Sequence, residues 1–131
     1  VRMALTMQAR MAELRTKWHR DGFPHPLSIR IGVNTGQASI GNFGSSHRLD
    51  YTAIGRQVNL AARLQTHCTP DGILISQSTW SLVHDEIPCR PIGDIAVKGF
   101  QNPVSVYEVA LDAMEALHVQ AGKAFGVRTT P

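Results

Sequence analysis

Leu27-Ser28-Ile29-Arg30-Ile31-Gly32-Val33 alternates apolar residues with polar or small ones, and Asn34-Thr35-Gly36 follows as a turn. The period of two predicts a strand whose buried face is Leu27, Ile29, Ile31 and Val33, so that Arg30 points away from the apolar side. Before it, Ala4, Met7, Met11, Leu14 and Trp18 recur at spacings of three and four, with Arg10, Glu13, Arg15 and Lys17 between them. This is the pattern of an amphipathic helix, with Met7, Met11 and Trp18 expected in the core. Asp21, Gly22, Pro24 and Pro26 end that helix.

After the turn, Gln37 to Ile40 is expected to return as a short strand, followed by a loose segment from Gly41 to His47. Leu49 to Ile54 is the next strand, Gly55 breaks it, and Val58 to Cys68 carries Ala61, Ala62 and Leu64 among good helix formers. Asn59 and Arg63, four residues apart, fall on one face of that helix. Pro70-Asp71-Gly72 is a turn, Ile73-Leu74-Ile75 a short buried strand, and Ser76 or Ser78 can cap a brief helix through Val83. Ile87 to Val97 and Pro103 to Val109 then flank Lys98-Gly99-Phe100-Gln101-Asn102, a connection that suits a hairpin. The order helix, hairpin, helix, strand, helix, hairpin predicts an α+β domain with helices packed on a mainly antiparallel sheet. Residues 1–110 are read as the domain and 111–131 as a C-terminal tail, helical for a few turns at most.

With 131 residues, 43% hydrophobic and 18% charged, the chain has globular composition and the length of one domain. No apolar run approaches the roughly 20 residues of a membrane-spanning helix, so no membrane contact is expected from this segment. The net charge of +3 is spread out, without the Lys/Arg runs of a nucleic-acid face. Cys68 and Cys89 form no C-x-x-C, and the six histidines His19, His25, His47, His67, His84 and His118 show no ligand spacing. The cysteines are read as inert thiols, in a reducing compartment. The chain opens on Val1 and not on Met, so it is expected to be a fragment.

Phosphate-loop, dinucleotide, zinc-protease and hydrolase motifs are absent. The stretch from Arg30 to Arg63 instead resembles the signature of the class III nucleotide cyclases, the adenylate and guanylate cyclase catalytic domains. The matching residues are Arg30-Ile31-Gly32-Val33-Asn34-Thr35-Gly36, Asp50-Tyr51-Thr52-Ala53-Ile54-Gly55 and Val58-Asn59-Leu60-Ala61-Ala62-Arg63-Leu64. Gly72-Ile73-Leu74-Ile75-Ser76, Val97-Lys98-Gly99 and Val104-Ser105-Val106-Tyr107-Glu108-Val109 follow in the family's order. The resemblance implies the ferredoxin-like cyclase fold without its N-terminal strands, and cyclisation of ATP or GTP with loss of pyrophosphate. The site is then shared across a head-to-tail dimer, expected here to be a homodimer.

By the same resemblance, Asn59 orients the ribose and Arg63 stabilises charge developing on the phosphoryl oxygens. Arg30 and Lys98 hold the triphosphate, while Thr52 and the backbone of Ala53 read the base. Threonine at that position marks a bacterial-type adenylate cyclase subgroup, which favours ATP, although its hydroxyl can both accept and donate. Two ions, Mg2+ or Mn2+, are implied, held by two aspartates that precede the first helix in the family. Asp21, Asp50, Asp71, Asp85, Asp94 and Asp112 do not sit in those motifs, so the metal ligands are expected outside this chain and the chain alone is expected to be inactive. Arg56 departs from the pattern, since many relatives have aspartate there. The implied setting is cytoplasmic signal transduction, either free or as the cytoplasmic part of a membrane-tethered protein.

Taken singly, these residues have plainer readings. Arg63 and Arg30 are ordinary solvated charges, Asn59 a helix-start polar residue and Lys98 a turn residue. It is their common register that points to a cyclase. A catalytically dead cyclase-like module that binds nucleotide or dimerises is the alternative. A nucleic-acid-binding α+β domain is suggested by the basic pI near 9.2 and the sheet topology alone, because no strand carries paired exposed aromatics.

Overall fold

The computed structural model describes residues 1–23, 27–46 and 48–112. The elements run α1 (Arg2–Arg20), β1 (Ile31–Val33), β2 (Ser39–Ser45), β3 (Arg48–Ile54), α2 (Arg56–His67), β4 (Ile73–Ser76), α3 (Gln77–Val83), β5 (Cys89–Ile95) and β6 (Val104–Val109). Four strands form one sheet in the order β1-β4-β6-β5, and β2 pairs only with β3. β6 is antiparallel to both of its neighbours, β4 and β5, whereas β1 lies parallel to β4 with Ile31 opposite Ile73. A parallel pair needs a crossover, and α2 supplies it. The chain is therefore α+β with helices on a mainly antiparallel sheet, as the sequence predicts.

β4 is buried along its whole length because both of its faces are covered. On one face Leu74 joins Leu60, Leu64 and Cys68 of the α2 side with Val97 and Val106. On the other, Ile73 and Ile75 pack with Ala4, Ile87 and Val109, with Trp80 and Tyr107 stacked at 4.5 Å alongside. Burial pushes the Cys68 thiol above its ordinary value and does the same at Cys89, as expected of inert thiols.

Two expectations are corrected. The segment Gly41 to Ser45 is not loose, and the strand that begins at Ser39 does not return along β1. It continues as β2 and pairs with β3 from Ser39 opposite Ile54 to Ser45 opposite Arg48. Serine, glycine and asparagine give this strand little intrinsic β-preference, so pairing makes it. Second, Met7 is 44% exposed, and the buried residues of α1 are Ala4 and Gln8. The Gln8 amide nitrogen donates to the carbonyls of Ile29 at 3.2 Å and Gly72 at 2.9 Å, and Arg15 pairs with Asp71 at 2.8 Å. These polar anchors, seven residues apart, turn the face 4, 8, 11, 15 towards the sheet, which keeps Ala4 and Met11 of the apolar stripe but leaves Met7 outside.

The cap of α3 is as expected: the Ser76 hydroxyl accepts from the Thr79 amide at 3.4 Å and donates to Asn34 Oδ1 at 2.6 Å. Ser76→Ala removes both and should cost about 1–2 kcal/mol of stability. A urea melt of the variant superimposable on that of the parent would show that these bonds carry nothing. No helix among the described residues is long and apolar enough to cross a membrane. The tail expected at 111–131 lies, beyond Asp112, outside the described residues, as do His25, His47 and His118.

Candidate active site

Leu60 and Leu64 fix the roll of α2, being 2% and 0% exposed against the sheet. Asn59 and Arg63, each one residue earlier, are thereby left on the open flank, one turn apart. Lys98 reaches the same flank from the connection between β5 and β6. Val97 plugs into the core beneath α2, and the Phe100 amide bonds the Val97 carbonyl at 3.1 Å to close a turn. Gly99 sits at φ +94° in that turn, a conformation that a side chain would strain. Arg56, Asn59, Ala62, Arg63, Val97 and Lys98, with Gly55 and Gly99, line one open cleft of about 730 Å³.

The cleft carries three cationic side chains, Arg56, Arg63 and Lys98, and no carboxylate among its described lining residues. α2 has no side-chain cap and no acidic residue in its first turn, so its amide groups add to the positive potential. Chemically this flank can bind a multiply charged anion, and the planar fork of Arg63 can grip two oxygens at once.

The other sequence-predicted residues lie elsewhere. Thr52 and Ala53 are on β3, opposite Gly41 and Ile40 of β2. Thr52 is exposed, three residues and so roughly 10 Å of extended chain before Gly55. Arg30 is at the far end of α2. The Asn34 side chain bonds Gln57 at the start of α2, whereas Ile31 bonds Gly72 beyond its end, so β1 and α2 run in opposite directions. A helix of 12 residues is about 18 Å long, which separates Arg30 from the start of α2. The structure thus gathers Asn59, Arg63 and Lys98 and leaves Thr52, Ala53 and Arg30 outside their cleft.

Two contributors escape sequence reasoning. Asn34 reads only as a turn former, yet its amide nitrogen donates to the Gln57 carbonyl at 2.9 Å and Gln57 Oε1 at 2.8 Å. Its oxygen accepts from Ser76 at 2.6 Å and Ser78 at 3.2 Å, so one side chain ties β1 to the starts of α2 and α3. No local pattern signals these long-range bonds. Arg56 stands out in the sequence only as a departure from the family pattern, and its place in the cleft follows from the stripe 56, 59, 63 on α2.

Among the described residues, no group of three or more His, Cys, Asp or Glu side chains could hold a metal ion. Asp71, Asp85, Asp94 and Asp112 are dispersed, engaged with Arg15, His84, Ser105 and Arg90 respectively. The described residues therefore do not fit a two-ion centre.

The family described as the adenylate and guanylate cyclase catalytic domain matches residues 1–111. The crystal structure of the adenylyl cyclase CyaB from P. aeruginosa is similar, with TM-score 0.76 and 50% identity over 82% of this chain and 55% of that one. The guanylate cyclase domain of RhGC from Catenaria anguillulae in complex with GTP matches with TM-score 0.58 and 28% identity, over 66% of this chain and 45% of that one. Adenylate cyclase 1 of Rhizobium meliloti is 33% identical over 110 residues, 82% of this chain and 16% of that protein. The chain thus spans about half the length of these solved domains and a smaller share of the curated relative. By the match over residues 1–111 and the likeness to solved cyclase domains, the chain belongs to the adenylate and guanylate cyclase catalytic domain family.

Proposed function

We propose that this chain is part of an adenylate cyclase, which converts ATP into 3′,5′-cyclic AMP and pyrophosphate in cytoplasmic signalling. The observation that carries the reading is the meeting of Asn59, Arg63 and Lys98 in one cleft free of carboxylates. In the reaction the ribose 3′-hydroxyl attacks the α-phosphorus and pyrophosphate leaves. Asn59 orients the ribose, and the Arg63 fork offsets the charge that builds on the phosphoryl oxygens. Lys98 holds the outer phosphates. Two divalent ions, Mg2+ or Mn2+, held by ligands from outside this chain, would supply activation of the hydroxyl and charge neutralisation.

Arg30 serves the same triphosphate from a second copy. Its position at the opposite end of α2 suits a head-to-tail homodimer, in which the far end of one protomer meets the cleft of its partner. The hydroxyl of Thr52 and the backbone of Ala53 take the adenine. The ATP preference rests on Thr52 and on the 50% identity to an adenylyl cyclase.

The full-length protein, assayed with manganese, should form cyclic AMP from ATP at least about tenfold faster than cyclic GMP from GTP, and the 131-residue chain should form neither. A preference for GTP overturns the substrate, and product from the isolated chain overturns the external metal ligands. Nucleotide binding by the full-length protein without turnover makes it the catalytically dead module instead.

A further inference from the structure

Arg56 has no place in the roles just given, yet it lines the cleft with Asn59, Arg63 and Lys98. Residues 56, 59 and 63 form one stripe over two turns of α2, roughly 10 Å long. The guanidinium carbon of Arg56 lies 5.8 Å from the centroid of the Phe100 ring, and its Cβ packs against Gly99, where an added methyl would touch it at 3.7 Å. Among the described residues no carboxylate pairs with Arg56, although exposed arginines at positions 2, 10 and 90 each pair with one. A guanidinium within cation–π range of an aromatic ring keeps its N–H donors for another partner. Three like charges around one cleft repel one another, and an anion spanning all three relieves this.

We propose that Arg56 is a further nucleotide-contacting residue, which binds the polyphosphate chain together with Lys98 and Arg63 while Phe100 holds its guanidinium in place. This rests on the cleft being the nucleotide site. A single phosphate group cannot reach both ends of a stripe this long, so the contribution of Arg56 is specific to a chain of phosphates. An aspartate at 56 would repel the same group, so the residue at 56 sets how tightly the phosphate end is held.

The test is calorimetric titration of inorganic tripolyphosphate into the 131-residue chain and its variants, with circular dichroism to verify folding. Arg56→Ala should weaken binding about tenfold, Arg56→Asp more, and Arg56→Lys should recover part of the loss. Lys17→Ala, an equal charge change on α1, should leave binding unaltered. If Arg63→Ala weakens binding but Arg56→Ala does not, Arg56 is excluded while the cleft stands. Equal losses from Lys17→Ala and Arg56→Ala reduce the effect to net charge and overturn the proposal. Binding that is absent, or indifferent to both Arg56 and Arg63, overturns the cleft itself and the proposal with it.

Discussion

Arg63→Ala in the complete catalytic domain should lower turnover by about 10²-fold or more, with a much smaller change in KM. The asymmetry follows from where the charge appears. On the proposed roles, Lys98 and Arg56 already hold the phosphates of the bound substrate, so losing one fork weakens binding modestly. In the transition state new negative charge builds on the oxygens around the α-phosphorus, and a permanently charged, planar donor set is worth most there. Arg63 is exposed and makes no contact that the core needs, while Leu64 beside it carries the packing at 0% exposure. The variant should therefore melt with the parent. Lysine at 63 keeps the charge but not the fork, and should restore only part of the rate. Initial rates against ATP at saturating manganese separate the outcomes. Unchanged turnover removes Arg63 from the chemistry, and a loss confined to KM makes it a binding residue.

The legible parts of this chain are those where a short window holds the cause. The buried run Ile73-Leu74-Ile75, the Ser76 cap and the i, i+4 pair Asn59 and Arg63 all follow from local periodicity, and the structure has them as read. What local windows miss is set by partners distant in sequence. β2 exists because β3 pairs with it, β1 lies beside β4 and not beside its sequence neighbour, and α1 is rolled by the bonds from Gln8 to Ile29 and Gly72. The candidate site shows the same division. The pairing of Asn59 with Arg63 is written in the helix, but the arrival of Lys98 depends on Val97 entering a core built by α2, β4 and β6. The separation of Arg30 from that cleft depends on the direction of a crossover that no residue near Arg30 encodes.

Gly32→Ala should be among the most damaging single methyl additions in the chain, costing about 3 kcal/mol or more. In the alternating pattern of β1 Gly32 is merely a small residue on the same side as Arg30. In the structure that side is where α2 lies. A Cβ on Gly32 would stand 2.5 Å from the Gln65 amide nitrogen, 2.6 Å from the Ala61 carbonyl oxygen and 2.9 Å from the Leu64 Cβ. The first two are backbone atoms in the middle of α2, which no rotamer change can move aside. The helix must therefore lift from the strand or the strand from its pairing with β4, and either loosens Leu64 and Leu74 in the shared core. Because α2 also carries Asn59 and Arg63, the same displacement spreads the cleft, so anion binding and stability should fall together. Gly41→Ala is the control: its Cβ would meet only the Phe43 ring, at 3.7 Å, and should change stability by less than about 0.5 kcal/mol. Urea melts of the two variants beside the parent decide the matter. Equal midpoints for Gly32→Ala and Gly41→Ala would mean that the close approach of α2 to β1 is not what the glycine is for.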